Sequence, residues 1–104
     1  METVLIDLFV VPQESVTAFM EQAERVQTFI KTLPGYVEGY VYQRSDGDSP
    51  YNFMTTAVWQ SAEAFENAKR AVAAENQKRN FNAQVVRQQL GVTTFRSTFE
   101  RSPY

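Results

Sequence analysis

Few residue types in this sequence are suited to chemistry, and three residues stand out: Asp7, Trp59 and Arg79. Asp7 interrupts the apolar run Val4–Val11. A partly buried carboxylate at that point can act as a general base that takes the proton of a phenol. Alternatively, it pairs with a buried arginine or accepts a hydrogen bond from a tyrosine. The two interpretations predict different partners for the same carboxylate.

Trp59 and Arg79 each allow two interpretations as well. The indole of Trp59 can stack on a planar ligand and donate its N–H, or it can fill the junction between sheet and helix. Arg79, with its neighbours Lys78 and Arg70, can place positive charge at the mouth of a pocket. There a guanidinium would stabilise a phenolate or a superoxide-like anion. The ordinary alternative for these cations is a solvated helix face.

Two absent residue types limit the chemistry further, because the chain contains no cysteine and no histidine. Thiol catalysis, disulfides and thiolate metal sites are therefore excluded. A Ser-His-Asp system and a histidine-ligated haem are excluded too. Twelve acidic and ten basic residues give a formal charge of -2, which leaves no basic excess for a nucleic acid. We predict neither a metal nor a cofactor.

The 104 residues fit a single domain, residues 1–104. Runs of β-branched and aromatic residues predict strands, and apolar residues at three- and four-residue steps predict helices. The predicted elements are strands over Val4–Val11, Tyr36–Arg44, Tyr51–Trp59 and Val92–Glu100, a helix over about 13–32, and a helical region over 61–90. The polar segment after Ala74 makes that region either two helices or one bent helix, and Gly91 ends it.

This βαββαβ order predicts the fold class, an α+β ferredoxin-like sandwich with an antiparallel sheet. Right-handed crossovers place both helices on one face of the sheet. The sequence has no run of about twenty apolar residues that would span a membrane. Its N-terminus lacks the basic leader of a signal peptide, so we expect a cytoplasmic protein.

The strands also predict which surface the helices leave uncovered, because side chains alternate between the two faces. We assign the purely aliphatic or small sets to the helix side. The far face then holds Leu5, Asp7, Phe9, Val11, Tyr36, Tyr40, Tyr42, Phe53 and Trp59. An error of one residue would exchange the two sets of a strand.

The predicted far face is too apolar for a lone copy. Its apolar side chains amount to about 800 Å², whereas monomers rarely expose more than a few hundred. We therefore predict a homodimer that packs sheet against sheet. The tyrosines of the second strand would lie in that interface or hydrogen-bond a ligand. Aromatic walls around the isolated polar groups Asp7, Glu38 and Thr55 are typical of a small-molecule pocket.

The segment Pro34–Phe65, PGYVEGYVYQRSDGDSPYNFMTTAVWQSAEAF, resembles the antibiotic biosynthesis monooxygenase domain. Its most specific parts are the glycine-aromatic strand start Gly35–Gly39 and the strand end Trp-x-Ser-x-x-Ala-Phe at Trp59–Phe65. The resemblance implies a dimeric α/β barrel with a pocket between sheet and helices in each subunit. For some members it implies oxygenation of phenolic or quinol-like compounds without metal or flavin. Other members degrade haem with a histidine, which this chain lacks.

The resemblance also implies site residues. In the cofactor-free members an asparagine, the strand-end tryptophan, a tyrosine early in the second helix and a later arginine hold the substrate. Trp59 matches, and Arg79 lies at about the spacing of the arginine, whereas Thr55 replaces the asparagine and Phe65 the tyrosine. We predict that the catalytic residues are Asp7, Trp59 and Arg79, and that the substrate-binding residues are Phe9, Tyr40, Thr55 and Phe65.

Three functions follow from these residues. The first is a cofactor-independent monooxygenase that acts on a small phenolic or quinol-like aromatic substrate. The second is a non-catalytic module of the same fold that binds a small aromatic ligand, which the changed residues Thr55 and Phe65 favour. The third is a lyase or isomerase of the wider dimeric-barrel group, with Asp7 as the base.

Overall fold

The computed structural model describes residues 1–104. The strands are β1 (Thr3–Val10), β2 (Tyr36–Gln43), β3 (Phe53–Trp59) and β4 (Thr93–Phe99), and the helices are α1 (Val16–Ile30), α2 (Ala62–Lys78) and α3 (Ala83–Leu90). A short 3-10 turn, Gln13–Ser15, precedes α1. The helical region over 61–90 is thus two helices, which was one of the two predicted forms.

The four strands form one sheet in the order β2-β3-β1-β4, and every neighbouring pair is antiparallel. The first crossover, through α1, connects β1 to β2. The second crossover, through α2 and α3, connects β3 to β4. This is the ferredoxin-like α+β topology, so the predicted fold class is confirmed.

Local signals explain where the second crossover begins, breaks and ends. The Ser61 hydroxyl accepts a hydrogen bond from the Ala64 N–H at 3.1 Å and caps α2. Asn80, with a φ of 54°, ends α2, and the Asn82 side chain caps α3 through the Val85 N–H at 3.1 Å. Gly91 follows α3 in the left-handed conformation, as expected for a helix C-terminus.

Gly35 fixes how closely α2 approaches the start of β2. A Cβ built on Gly35 would lie 2.4 Å from the Cβ of Ala64, and the φ of Gly35 is +83°. A larger residue would therefore clash with α2 and strain the backbone. The Gln60 N–H also donates to the Gly35 carbonyl at 2.8 Å. Together these contacts hold the first turn of α2 against the sheet.

The structure overturns our assignment of the two sheet faces for β1 and β3. Phe9, Phe53 and Trp59 are buried in the core between sheet and helices, and Asp7 shares their side of the sheet. The β1 aliphatic residues at even positions lie on the opposite face. Aromatic rings fill the wide space between the sheet and the helices better than the smaller aliphatic side chains do. A shift of one residue exchanges every side chain of a strand, which is the error that occurred.

In strand β2 the predicted face is wrong before a bulge and correct after it. The bulge lies between Tyr36 and Glu38. Tyr36 packs on Trp59 in the core, contrary to the prediction, with ring centroids 5.6 Å apart. After the bulge, Gly39 and Val41 lie on the helix-covered face. Tyr40, which lies between them, is on the other face, as predicted.

The core between sheet and helices consists of two clusters rather than one. The first cluster contains Ile30, Ala57, Trp59, Phe65 and Ala68. The second cluster contains Phe9, Val11, Phe19 and Phe53. The Phe19 ring from α1 lies 4.8 Å from the Phe9 ring and 4.9 Å from the Phe53 ring, measured between centroids.

The face that the helices leave uncovered, here called the open face, remains strongly apolar with a different set of residues. Its register places on it Val4, Ile6, Leu8, Val10, Tyr40, Tyr42, Met54, Val58, Phe95 and Phe99. Tyr40, Phe95 and Phe99 are each about half exposed. The prediction of an uncovered apolar face therefore holds, although the residues that form it were wrongly assigned.

Candidate functional site

A row of residues crosses the helix-covered face between the two core clusters. Val41, Thr55, Asp7 and Arg96 are successive register partners on β2, β3, β1 and β4. We call these four residues the polar row. On one side of it lie Ala57 of the first cluster and Leu5, which packs against that cluster, and on the other lie Phe9 and Phe53 of the second.

Asp7 and Arg96 form a bidentate ion pair in the polar row. Arg96 Nε donates to Asp7 Oδ1 and Arg96 Nη2 donates to Asp7 Oδ2, each at 2.9 Å. This pair matches the alternative in which Asp7 binds an arginine. The hydrogen bonds to Asp7 raise the pKa of Arg96, while its partial burial acts in the opposite direction. The guanidinium is therefore a permanent cation.

The two members of the pair differ in exposure. Asp7 is only 6% exposed, whereas 55% of the Arg96 side chain is exposed. A guanidinium has five N–H donors, and Asp7 accepts hydrogen bonds from two of them. The remaining three donors are left for a ligand or for solvent. The pair thus presents a fixed, accessible cation on the helix-covered face.

The second crossover leaves this part of the sheet accessible. Helix α2 buries only Phe65 and Ala68, both in its first two turns, and α3 buries no residue. The hydroxyl of Thr94, on the same face of β4 as Arg96, is buried without a hydrogen-bond partner. Polar groups with unused bonding capacity therefore lie beneath loosely packed helices.

Trp59 lies on the same face as Asp7 but within the first cluster. The residue is 2% exposed, and its indole N–H has no hydrogen-bond acceptor. A buried donor without a partner is costly, and such a donor can bind a ligand or a water molecule. In this structure the indole fills the junction between sheet and helices, as its structural interpretation predicts.

Neither Arg79 nor Tyr40 makes a hydrogen bond or ion pair with Asp7. Arg79 follows the end of α2, and its guanidinium carbon is 5.3 Å from the centroid of the Phe81 ring. Tyr40 lies on the open face, where its hydroxyl is 3.5 Å from Glu38 Oε2. Tyr40 therefore does not share a surface with Asp7 in one chain, since the sheet lies between them.

The predicted substrate contacts Phe9, Thr55 and Phe65 all lie between sheet and helices. Phe9 and Phe65 are buried, and Lys69 Nζ is 5.0 Å from the centroid of the Phe65 ring. Thr55 is the register partner of Asp7. The structure thus brings Asp7, Phe9 and Thr55 together, and it places Phe65 with Trp59 in the first cluster.

Arg96 was not among the site residues predicted from the sequence. A carboxylate within an apolar strand needs a partner, and an arginine in a neighbouring strand is the strongest one available. The alternation of β4 offers Arg96 as the one charged residue between Val92 and Phe99. Only the antiparallel register of β1 with β4 could show that it faces Asp7.

Two cavities lie away from the Asp7–Arg96 pair, although Val41 of the polar row lines the second. A cavity of about 220 Å³ lies beside the β2–β3 hairpin and is lined by residues such as Leu8, Tyr51 and Met54. A second, of about 290 Å³, lies between α1 and β2, with Gln27 and Gly39 among its lining residues. Neither cavity is lined by any of the three residues that we predicted as catalytic.

The acidic side chains do not form a group of three or more that could hold a metal ion. No helix has the length and apolar character needed to cross a lipid bilayer.

Comparison with known proteins identifies the family. The family model for antibiotic biosynthesis monooxygenase matches residues 1–89. The chain belongs to this family. No protein of curated function matches it in sequence. The resemblance in the segment from Pro34 to Phe65 is thereby confirmed for most of the chain.

Solved structures of other proteins have the same fold as this chain. A candidate monooxygenase from Shewanella loihica PV-4 is 26% identical, with 99% of this chain and 96% of that chain covered and a TM-score of 0.68. SnoaB, a cofactor-independent oxygenase from Streptomyces nogalater, is 19% identical over 99% of this chain and 95% of its own, with a TM-score of 0.69. A variant of MhuD with two manganese protoporphyrin IX molecules bound per active site is 19% identical over 95% and 93%, with a TM-score of 0.70.

Proposed function

We propose that this protein is a cofactor-independent monooxygenase that acts on a small phenolic or quinol-like aromatic substrate. The observation that carries the proposal is the half-exposed Arg96 guanidinium, which Asp7 holds in the polar row between the two core clusters. The family membership and the likeness to SnoaB, a cofactor-independent oxygenase, support it. The substrate would bind on the helix-covered face.

In the proposed reaction the substrate supplies the electrons. Loss of the phenolic proton gives a phenolate, which transfers one electron to dioxygen. The resulting superoxide and phenoxyl radical combine through a new carbon–oxygen bond, and the peroxide anion so formed takes back the proton that the phenol lost. Loss of water from this hydroperoxide, with the hydrogen of the same carbon, leaves a quinone carbonyl. One oxygen atom enters the product and the other leaves as water, so no further reductant is needed.

The residues have distinct proposed roles in this reaction. Arg96 would offset the charge of the phenolate and of the superoxide, as preorganised cations do at developing anions. Asp7 would be the proton acceptor, through carboxylate lone pairs that Arg96 does not use. The indole N–H of Trp59 would donate to a substrate oxygen once the helices move apart. Arg79 would add positive charge at the mouth of the site.

Oxygen consumption tests the proposed function. Purified protein is supplied with a panel of hydroquinones and naphthols, and dioxygen uptake is compared with the rate without protein. We expect uptake above that rate, equal amounts of dioxygen used and quinone formed, and a loss of about a hundredfold in Arg96→Gln, since one donor to an oxyanion contributes 10²–10³ in rate. Arg25→Gln, an exposed change on α1, should retain the wild-type rate. Uptake equal to the non-enzymatic rate for every substrate would refute the proposal.

A second candidate function is ligand binding without turnover. It is favoured by the near-complete burial of Trp59 and by the engagement of both Asp7 oxygens with Arg96. Ligands that raise the melting temperature but are recovered unaltered after aerobic incubation would support this function. Ligands that are recovered as quinones would support the oxygenase.

We also propose that two copies associate through the open face. Its ten apolar and aromatic residues lie together on one side of the sheet, and Tyr40, Phe95 and Phe99 among them are about half exposed. Large contiguous apolar patches are typical of interaction surfaces. A second copy brings an identical apolar sheet, which is the simplest complementary surface. Sedimentation at micromolar concentration should give the mass of a dimer, and Leu8→Lys should give the monomer. A stable wild-type monomer would contradict the proposal.

A further inference from the structure

We propose that Arg96 determines ligand specificity by binding a carboxylate, so that the preferred ligand is an aromatic carboxylic acid. The inference rests on the proposed function in one respect, the location of the ligand site on the helix-covered face. It adds a substrate class and a second role for the Asp7–Arg96 pair.

The shape of the guanidinium supports a carboxylate rather than a single oxygen. Asp7 occupies the edge formed by Nε and Nη2. The edge formed by Nη1 and Nη2 remains, and it carries two parallel N–H donors with no acceptor. This arrangement matches the two oxygens of a carboxylate, which a guanidinium binds through paired hydrogen bonds. A neutral hydroxyl or amide would leave one of these donors without an acceptor.

The charges also favour an anion, although Asp7 is negative. A carboxylate bound to the free edge lies about 4 Å from the guanidinium centre and about 7 Å from the Asp7 carboxylate, because neighbouring edges of the planar group share Nη2. Because Coulomb energy falls as the inverse of distance, roughly two fifths of the attraction to Arg96 survives the repulsion from Asp7. No other acidic residue belongs to the polar row, so nothing else on it opposes an anion.

Asp7 is then a positioning residue. A free arginine loses side-chain entropy when it binds a ligand, whereas Arg96 is already held by two hydrogen bonds of 2.9 Å. The burial of Asp7 keeps this anchor out of water, and the exposed part of Arg96 faces a ligand. Beside the polar row, Phe9 and Phe53 of the second cluster supply aromatic surface, and Leu5 and Ala57 supply aliphatic surface on the other side; both suit the ring of an aromatic acid.

Two isosteric probes test this inference by binding alone. Calorimetric titration compares naphthalene-2-carboxylate with the neutral naphthalene-2-carboxamide, neither of which needs dioxygen. We expect wild-type protein to bind the carboxylate about tenfold more tightly, the lower range for hydrogen bonds to a charged group. Arg25→Gln removes a charge elsewhere and should keep the same preference. Arg96→Lys keeps the charge without the fork and should retain only part of it.

The decisive variant replaces both members of the pair, Asp7→Asn with Arg96→Gln. It avoids leaving a buried carboxylate without a partner, so it should fold even where Arg96→Gln alone does not, which circular dichroism would show. We expect it to bind both probes about equally, with the affinity for the carboxamide unchanged. A persisting preference for the carboxylate in this variant, no preference in the wild type, or no binding of either probe to the wild type would each overturn the inference.

The inference and the oxygenase proposal fail in different ways. Carboxylate preference without any dioxygen uptake would retain the inference and refute the oxygenase. The opposite outcome has two parts. The protein would consume dioxygen with neutral hydroquinones at a KM that the double variant leaves unchanged, and it would show no preference between the two probes. That result would retain the oxygenase and refute the inference.

Discussion

The two helical crossovers cover the same face of the sheet, but they pack on it unequally. Helix α1 buries Phe19 near its start and Ile30 at its end, so it is held at both ends. Helix α2 buries Phe65 and Ala68 near its start, and α3 buries no residue. The first crossover therefore contributes buried side chains at both of its ends. The second buries side chains only where it begins, and its end is held by the Ser15 hydroxyl, which donates to the Leu90 carbonyl at 2.6 Å.

Because of this difference, we assign stability of the fold mainly to the first crossover and ligand access to the second. Phe19 of α1 packs on Phe9 and Phe53 of the strands beneath it. Strand β4, which follows α3, carries Arg96 with more than half of its side chain exposed. Elements that open to admit ligands come from the less stable parts of a protein. We infer that ligands enter beneath the second crossover.

The largest expected effect comes from removing a buried ring of the first crossover, compared with truncating an exposed side chain of the second. Phe19→Ala removes a ring that contacts both Phe9 and Phe53, and it should reduce the free energy of unfolding by about 3–5 kcal/mol. Val85→Ala on α3, where Val85 is 43% exposed, should change it by less than about 0.5 kcal/mol. Urea denaturation measures both. Equal losses would show that the two crossovers pack alike.

A smaller effect distinguishes the two helices of the second crossover. Ser61→Ala and Asn82→Ala each remove a side-chain cap, which is worth about 1 kcal/mol. Ser61 precedes the packed start of α2, so its loss should lower global stability by about that amount. The loss of the Asn82 cap should appear as faster hydrogen exchange in α3, with little global change.

Both variants are measured by native-state hydrogen exchange and by urea denaturation, so that each method serves as the control for the other. If Asn82→Ala lowers the global free energy of unfolding as much as Ser61→Ala does, then α3 unfolds together with the core. The proposed entry route beneath the second crossover would then lose its support.

The smallest effect concerns the first cluster at high pH. The pKa of Tyr36 is raised above its ordinary value, and burial of the hydroxyl is the largest cause. The charges of the neighbouring Tyr40 and Glu38 raise it further. Because the folded state holds this proton more tightly, its contribution is complete below about pH 10 and is lost as pH rises through the raised pKa. Wild type should therefore lose more stability between about pH 9 and pH 11 than Tyr36→Phe does. Tyr104→Phe, a change at a fully exposed residue, should behave like the wild type.

Much of the fold could be predicted from the sequence, because its signals are local. The dense apolar run before Pro12, the cap at Ser61 and the stop at Gly91 each act within a few residues. The predicted strand boundaries differ from the observed ones by at most two residues. The order of these elements then leaves few chain paths, and the ferredoxin-like topology is one of them.

The face assignment could not be predicted from the same signals. Alternation states which residues share a face, but it does not state which face the helices cover. Aliphatic Val4 and Ile6 and aromatic Phe9 are all suited to a core. The choice depends on the volume that α1 and α2 leave above the sheet, which is a property of the assembled layers.

The site was predicted in part for a related reason. Asp7 was recognisable as an anomaly within β1, whereas its partner Arg96 lies 89 residues away on the last strand. Composition, periodicity and caps are encoded by neighbours along the chain, so the sequence alone determined the elements, their order and the absence of histidine and cysteine chemistry. The pairing of β1 with β4, the burial of Trp59 and the exposure of Arg96 were decided by tertiary structure. Each depends on distant segments meeting in one register, and no local interaction specifies that register.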